Sequence, residues 1–290
     1  MTVASALASA IALGLDRLDA QLLLLHALGK PASARAWLMA HDRDALLQPV
    51  VDGFMALVLR RLRGEPVAYL AGHKEFFGLD LLVDARVLVP RPDTETLVEW
   101  ALAVLDRLEV SSPSIVDKSP RRVLDLGTGS GAVALAIKHS RPQLQVSATD
   151  FSADALAVAQ VNSQRLKLDI SFSQGSWLMG LPCRDTVAGR FHLIVSNPPY
   201  IAARDPHLAA LTHEPLQALA SGTDGLDDIR TIIGQAPGHL HPGGWLLLEH
   251  GHDQAARVRD LLHQAGFEDL QSRRDLAGIE RCGGGRCKSN

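Results

Sequence analysis

The chain has 290 residues, of which 47% are hydrophobic and 21% are charged, and its formal net charge is -3 at pH 7. At roughly 100 to 200 residues per domain, this length predicts two domains, and the composition lies in the globular range. The apolar runs are too short and too interrupted to span a bilayer, and the slightly acidic balance argues against a protein that binds nucleic acid through its phosphates.

Residues 1–74 are predicted to form an N-terminal helical domain. The apolar segment 3–15 is interpreted as its first helix and not as a secretory signal, because no Lys or Arg precedes it and Asp16 follows it directly. Two apolar stripes at helical spacing indicate further helices and the faces by which they pack. The stripes are Leu15, Leu18, Leu22 and Leu25, and Met55, Val58, Leu59 and Leu62. Acidic and basic residues are equal in number over positions 1–80. This neutral balance predicts that the domain recognises a protein substrate and not a polyanion.

The pattern becomes extended over residues 75–92, which are predicted to form a hairpin or linker at the domain boundary. Within it, the apolar stretch 81–89 precedes two closely spaced prolines. Residues 93–107 are expected to be helical. The segment 111–121 is rich in Ser, Pro and Lys and is expected to be a surface loop.

From residue 93 to residue 290, strands and helices alternate, which predicts an α/β domain with a doubly wound parallel sheet. The strand candidates are residues 123–126, 145–149, 170–173, 192–196, 245–249 and 269–272. The helix candidates are residues 132–139, 152–166, 226–236 and 253–265. Ligands of such sheets bind at the carboxyl ends of the strands, so the loops that follow the strands are expected to carry the site.

A glycine-rich loop joins the first of these strands to its helix and predicts a nucleotide-like ligand. The loop is Gly127-Thr128-Gly129-Ser130-Gly131. Its glycines let the backbone turn sharply and approach a ligand without a Cβ clash. The spacing also satisfies the dinucleotide fingerprint, so the loop by itself leaves adenosylmethionine and NAD open.

Two residues after the next strands are candidates for contacts to an adenosine. Asp150 ends the second strand, 23 residues after Gly127, where a carboxylate accepts hydrogen bonds from both ribose hydroxyls. A helix cap is its alternative role, but Ser152 can supply that cap itself. Trp177 follows the third strand and is expected either to flank the adenine or to pack in the core.

The sequence Asn197-Pro198-Pro199-Tyr200 follows the fourth strand and predicts a methyltransferase that acts on a planar nitrogen. Two consecutive prolines remove two N–H donors, so the Pro198 carbonyl and the Asn197 side-chain oxygen can both accept from one small donor with two N–H bonds. The Tyr200 ring is expected to cover the planar group. Asn197, Pro198 and Tyr200 are the candidate catalytic residues, and all four residues form the candidate substrate site.

In these motifs the sequence resembles the release-factor glutamine N5-methyltransferase family. The resembling segments are residues 60–72, 75–76, 89–95, 127–131 and 197–200. The resemblance implies a class I methyltransferase domain after an N-terminal helical domain, with S-adenosylmethionine as cofactor. It implies that the substrate is the glutamine of the Gly-Gly-Gln motif in class I peptide chain release factors. It assigns the glycine loop, Asp150, Trp177 and Asn197 to the cofactor.

Three positions depart from what is usual in that family. Ser176 stands where Asp is usual, His213 stands where an aromatic is usual, and residues 281–286 replace a more apolar strand. The sequence places no Lys or His as an obvious base. Catalysis is therefore expected to rest on orientation and on acceptors that stabilise charge developing on the nitrogen.

Other interpretations of the same residues stay open. The tetrapeptide also suits the amine of an adenine flipped out of a duplex, although the acidic charge balance disfavours a nucleic-acid substrate. It equally suits a glutamine of a ribosomal protein. A non-catalytic adenosine-binding module and an NAD oxidoreductase are the alternatives from other classes. Cys183, Cys282 and Cys287 match no zinc or redox spacing, so we expect no metal site and a reducing cytoplasmic location. The expected partners are release factors, and the protein is expected to be a monomer. Direct binding to nucleic acid or to a membrane is not expected.

Overall fold

The structure is a computed structural model and describes residues 1–111, 120–179, 181 and 189–288. The chain divides into two compact units. The N-terminal unit comprises Met1–Lys74 and Ala210–His213, and the C-terminal unit comprises Glu75–Ala209 and Glu214–Asn290. Most of the predicted loop 111–121, and Cys183, lie outside the described residues. In the part of the chain that is described, no helix is both long and apolar enough to cross a membrane.

The N-terminal unit is helical, as predicted. Its helices are α1 Val3–Ala12, α2 Arg17–Ala27, α3 Arg35–Ala40, α4 Gln48–Leu62 and α5 Val67–Ala71. Thr2 and Ser5 form a reciprocal capping box at the start of α1. Asp16 caps α2 by accepting from two backbone N–H groups of the first turn. Gly72 ends α5 in the left-handed region, at a φ of 79°.

The predicted packing faces of α2 and α4 are partly wrong. The exposed members of the two predicted stripes are Leu18, Leu59 and Leu62. The side of α4 that enters the core carries Val58, as predicted, together with Val51 and Phe54. At 3.6 residues per turn, Leu59 lies about 100° around the helix from Val58, so it leaves that face. The predicted stripe of Met55, Val58, Leu59 and Leu62 leaves out Phe54, although the Phe54 ring is fully buried.

The predicted hairpin is present and is short. β1 His73–Phe76 and β2 Leu79–Leu82 form a two-stranded sheet. The turn residues Phe77 and Gly78 both have positive φ, at 50° and 77°, which is the backbone twist that two-residue hairpin turns require. Residues 83–89 continue without strand structure.

The C-terminal unit contains the predicted doubly wound sheet. Its strands are β3 Arg122–Leu126, β4 Gln145–Asp150, β5 Ser171–Gln174, β6 Phe191–Ser196, β7 Leu240–Glu249, β8 Glu268–Arg274 and β9 Glu280–Arg286. Its helices are α6 Glu95–Ser111, α7 Ala132–Ser140, α8 Ala153–Leu166, α9 Asp227–Gln235 and α10 Ala255–Gln264. The strand order is β5-β4-β3-β6-β7-β9-β8. The pairs from β5 to β7 are parallel, whereas β9 runs antiparallel to both β7 and β8.

Both faces of the central strands are buried, because their successive side chains alternate between two apolar clusters. On β6, Leu193 and Val195 belong to the cluster that includes α6 and α7, whereas Ile194 belongs to the cluster that includes α9 and α10. On β7, Leu247 and Leu248 alternate in the same way. This explains why these strands appear in the sequence as continuous hydrophobic runs.

The sheet brings the candidate site residues to one edge. Leu126 at the end of β3 is in register with Thr149 of β4 on one side and with Ser196 of β6 on the other. The glycine loop, Asp150 and Asn197 follow directly after these paired residues. They therefore meet at the carboxyl ends of three adjacent strands, where the strand order reverses and α/β proteins bind their ligands.

Candidate active site

A cavity of about 220 Å³ opens at this edge of the C-terminal unit. Six of the predicted site residues line it: Gly127, Gly129, Asp150, Trp177, Asn197 and Pro199. Thr128, Ser130, Gly131, Pro198 and Tyr200 are not part of its lining. The remaining lining residues are Arg86, Val87, Leu88, Phe151, Ser152, Ala155, Gly175, Ser176, Pro215, Gln217, Ala218 and Asp228.

The glycine loop presents bare backbone to the cavity. Gly127 has a φ of 67°, and a Cβ at this position would lie 3.1 Å from the Trp177 ring. Gly131 has a φ of 85°, and a Cβ there would lie 3.0 Å from Leu135 and 3.2 Å from Ala159. A side chain at the first position would crowd the Trp177 ring in the cavity wall, and one at the second would press against both α7 and α8. The loop therefore has the open, tightly turned shape that a nucleotide-like ligand needs.

Thr128 and Ser130 do not line the cavity and instead form hydrogen bonds that hold the loop in place. The Thr128 hydroxyl donates to Asp125 at 2.7 Å, and the Ser130 carbonyl accepts from the Asn162 amide at 2.9 Å. Asp125 is fully buried, and its burial raises the pKa of the carboxyl to about 7. These contacts fix the loop conformation, a role that the sequence analysis did not separate from ligand contact.

Asp150 places a carboxylate in the cavity wall. Its Oδ2 accepts from the Gly129 amide and its Oδ1 from the Ser152 amide, both at 2.9 Å. The cap of α8 is Ser152, whose hydroxyl accepts from the Ala155 amide at 3.2 Å. Each carboxylate oxygen has a second lone pair, so both can still accept from ligand hydroxyls. Burial raises the pKa of Asp150, although backbone hydrogen bonds oppose the shift.

Trp177 lies in the cavity wall in an unusual backbone conformation. Its φ is 53°, and its indole N–H donates to Asp228 at 3.0 Å. Beside it, Phe151 lines the cavity with a side chain that is 70% exposed. The sequence analysis missed Phe151, whose only signal is its place directly after Asp150. Both aromatic rings are apolar surfaces on which a planar base can stack.

The Asn-Pro-Pro-Tyr turn is anchored at both ends. Ser196, directly before it, donates its hydroxyl to the Leu126 carbonyl at 2.7 Å. The Asn197 side-chain amide donates to the Thr94 hydroxyl at 3.2 Å. At the other end, the Tyr200 hydroxyl donates to Glu249 at 3.3 Å. Burial and the nearby Glu249 raise the pKa of the Tyr200 phenol, so it is a protonated donor at neutral pH.

Thr94 and Glu249, which hold the two ends of this turn, were not predicted from the sequence. Thr94 belongs to the Pro-Arg-Pro-Asp-Thr-Glu run that carried much of the family resemblance, but no role was assigned to it. Glu249 ends β7 and is 1% exposed. Burial raises the pKa of its carboxyl to about 7, and hydrogen bonds from Thr94 and Tyr200 oppose the shift.

A buried carboxylate joins two segments of the cavity wall. Glu214 accepts from the Val89 amide at 3.0 Å and forms an ion pair with Arg91. Val89 follows the lining residues 86–88, and Glu214 directly precedes the lining residue Pro215. This contact holds together two loops that are far apart in sequence.

Two family models match the chain. Residues 110–266 match the Methyltransferase small domain, and residues 2–72 match the PrmC N-terminal domain. Among solved structures, the human methyltransferase 10 domain containing protein is 16% identical with a TM-score of 0.52, covering 74% of this chain and 90% of its own. At that identity the likeness extends to the fold alone.

Curated relatives match almost the whole chain. The release factor glutamine methyltransferase of Xylella fastidiosa (strain Temecula1) is 50% identical over 276 residues, with 94% of each chain covered. The protein of the same name from Bordetella pertussis is 49% identical over 274 residues, with 94% of this chain and 95% of its own covered. The chain belongs to the release factor glutamine methyltransferase family, whose members are S-adenosylmethionine-dependent enzymes.

Proposed function

We propose that this chain methylates the side-chain amide nitrogen of the glutamine in the Gly-Gly-Gln motif of class I peptide chain release factors. The observation that carries the proposal is the Asn197 amide. It lines the cavity at the carboxyl edge of the sheet, and its N–H is already bound to Thr94. The side-chain oxygen is the end of the amide left for a substrate N–H. Family membership over 94% of the chain supports the same reaction.

The cavity fits S-adenosylmethionine as the methyl donor. The residues that would hold it are Gly127, Gly129, Asp150, Trp177 and Asn197, all in the cavity wall. Asp150 supplies acceptors for ribose hydroxyls, and the bare glycine backbone admits the ligand closely. When bound, the cofactor supplies an electrophilic methyl group on a positively charged sulfur, and S-adenosylhomocysteine is the product.

The residues of the tetrapeptide orient the substrate amide. An amide nitrogen is a poor nucleophile because its lone pair is delocalised, so its position has to be fixed. The Asn197 oxygen and the Pro198 carbonyl accept its two N–H bonds, and these acceptors become more favourable as positive charge develops on the nitrogen. One N–H proton is lost in exchange for the new N–CH₃ bond. The Tyr200 ring, with its hydroxyl anchored on Glu249, borders the turn.

We assign recognition of the intact release factor to the helical N-terminal domain, residues 1–74. Its apolar core and balanced charge favour a protein surface over a polyanion. Residues 75–92 are the linker and residues 93–290 the catalytic domain of this proposal. The protein would act as a monomer in the cytoplasm, where its substrate functions in translation termination.

Mass spectrometry of a purified release factor, incubated with the enzyme and S-adenosylmethionine, tests the function. We expect a gain of one methyl group on the Gly-Gly-Gln glutamine. In the variant Asn197→Ala, turnover should fall by about two to three orders of magnitude, the effect of losing a positioned polar group that acts on the transition state. A folded, cofactor-binding Asn197→Ala enzyme with the wild-type rate would contradict the assignment. Methylation of RNA or DNA adenine instead would favour the nucleic-acid alternative.

A further inference from the structure

A buried side-chain amide, that of Gln254, holds the last residue of the Asn-Pro-Pro-Tyr turn and has no part in the proposed reaction. Gln254 directly precedes α10 and is 6% exposed. Its Nε2 donates to the Tyr200 backbone carbonyl at 2.9 Å, and its Oε1 accepts from the Gly251 amide at 2.8 Å. The described residues that line the cavity do not include Gln254. The side chain therefore contacts the turn without bordering the cavity.

The two partners of Gln254 fix the orientation of its amide. The Gly251 N–H can only donate, so it must face the side-chain oxygen. The Tyr200 carbonyl can only accept, so it must face the NH₂ group. If the amide turned over, two donors would meet at one end and two acceptors at the other. Buried polar groups without partners cost free energy, so the observed orientation is strongly preferred.

The backbone of Gly225 packs closely against this hydrogen bond. Gly225 has a φ of 74°, and a Cβ at this position would collide with the Tyr200 carbonyl oxygen and lie 2.7 Å from the Gln254 Nε2. A water molecule therefore has no room on that side of the carbonyl to replace Gln254 as its donor. The next residue of the chain, Ile201, is held as well, because its amide donates to the Leu219 carbonyl at 2.9 Å.

The two prolines carry the position of this carbonyl back to the acceptor for the substrate. The rings of Pro198 and Pro199 fix φ at about −65°, so the turn has few free torsions. At its first end, the Ser196 hydroxyl holds the chain to the end of β3. At its last end, Gln254 holds the Tyr200 carbonyl. With both ends held, the direction of the Pro198 carbonyl between them is set.

We propose that Gln254 is a positioning residue that acts through the Tyr200 carbonyl to aim the Pro198 carbonyl at the substrate N–H. The inference deepens the proposed function and rests on the role given there to Pro198. Without the donor, the Tyr200 carbonyl is unpaired, and the turn shifts until the carbonyl finds another partner. The Pro198 oxygen then leaves its line to the substrate nitrogen. This lowers the rate of methyl transfer more than it weakens binding, because the alignment matters most in the transition state.

The full-length Gln254→Glu variant tests the proposal. The new carboxylate has the same length and still accepts from the Gly251 amide, but it turns an acceptor toward the Tyr200 carbonyl. A negative charge is favourable at the start of a helix, so α10 should stay folded. We expect kcat on a release factor to fall on the order of 100-fold, the effect of a displacement of about 1 Å. The KM for the release factor and the calorimetric affinity for S-adenosylmethionine should stay close to those of the wild type.

Two further variants separate the hydrogen bond from other effects. Gln254→Met keeps the length without charge or donor and should lower kcat as Gln254→Glu does. Gln264→Glu makes the same chemical change at the exposed last residue of α10 and should leave kcat unchanged. A wild-type kcat in either folded Gln254 variant would overturn the proposal. An equal loss of kcat and of cofactor affinity would also overturn it, because it would show a general disturbance of the fold.

A readout without methyl transfer separates this inference from the proposed function. The chain has two tyrosines, Tyr69 on α5 and Tyr200, so ¹³C at the tyrosine carbonyl carbons gives two signals. The Tyr200 signal should shift between the wild type and Gln254→Met, because a hydrogen bond draws electron density from the carbonyl carbon, and the Tyr69 signal should not. An unmoved Tyr200 signal would overturn the proposal. The expected shift, in a protein whose wild type fails to methylate release factors, would instead refute the proposed function alone.

Discussion

At the scale of single residues, Asp150 is the sharpest test of where the cofactor lies. Its two oxygens already accept from the Gly129 and Ser152 amides, each has a second lone pair, and the residue lines the cavity. Asp150→Ala should weaken S-adenosylmethionine binding by about 1.5 to 3 kcal/mol, the usual contribution of hydrogen bonds to a charged group. Calorimetry measures this directly.

The matched control is Asp154→Ala, which removes an exposed carboxylate in the first turn of α8, four residues after Asp150. It should leave the affinity unchanged. If a folded Asp150→Ala protein bound the cofactor as tightly as the wild type, Asp150 would have no place in the cofactor site.

The sequence predicted residues that signal their chemistry locally and missed those that act through distant partners. Glycines after a strand, an acid at a strand end and two prolines beside an asparagine all carry meaning within a few positions. Thr94 acquires its role only from Asn197, 103 positions away, and Glu249 only from Tyr200, 49 positions away. Such pairs exist only once the sheet has brought its strand ends together.

At the scale of elements, the glycines of β9 show why this strand escaped prediction. A Cβ on Gly284 would lie 2.5 Å from the Leu246 carbonyl oxygen and 2.9 Å from the Trp100 ring. The strand therefore needs glycine at this position. Because glycine is depleted in strands generally, the residue composition of β9 gave no indication of a strand. The parallel strands were predicted well because their continuous apolar runs fit a sheet that is covered on both faces.

Gly284→Ala should therefore destabilise the protein by about 1 to 3 kcal/mol, because the added methyl group overpacks the interior. Urea unfolding of the full chain measures the change in free energy. Gly53→Ala in α4 is the control, since nothing lies within 4 Å of its added Cβ and its backbone is helical. That change should stabilise by about 0.5 to 1 kcal/mol. Equal effects from the two substitutions would contradict the packing argument.

At the scale of the whole molecule, the division into two compact units allows the proposed recognition role of residues 1–74 to be tested apart from the chemistry. Deletion of residues 1–72 leaves the first strand of the hairpin and all of the cavity lining in place. We expect the truncated protein to bind S-adenosylmethionine nearly as the full chain does. It should methylate a short Gly-Gly-Gln peptide but lose most of its activity on the intact release factor.

Mass spectrometry on both substrates, side by side, checks this. The peptide serves as the internal control, because a misfolded truncation would fail on it as well. Full activity of the truncated protein on the intact release factor would remove the recognition role from the N-terminal domain.

The position of Trp177 also makes its intrinsic fluorescence a reporter of ligand binding in the cavity. The chain has four tryptophans. Trp100 and Trp245 are buried in the apolar core. Trp37 lies against Lys30 and His41. Trp177, in contrast, lines the cavity and donates its indole N–H to Asp228. Filling the cavity should change the emission of this one indole, and the change should vanish in Trp177→Phe while calorimetry still detects binding. Rapid-mixing fluorescence would then time ligand entry separately from methyl transfer, with no added dye.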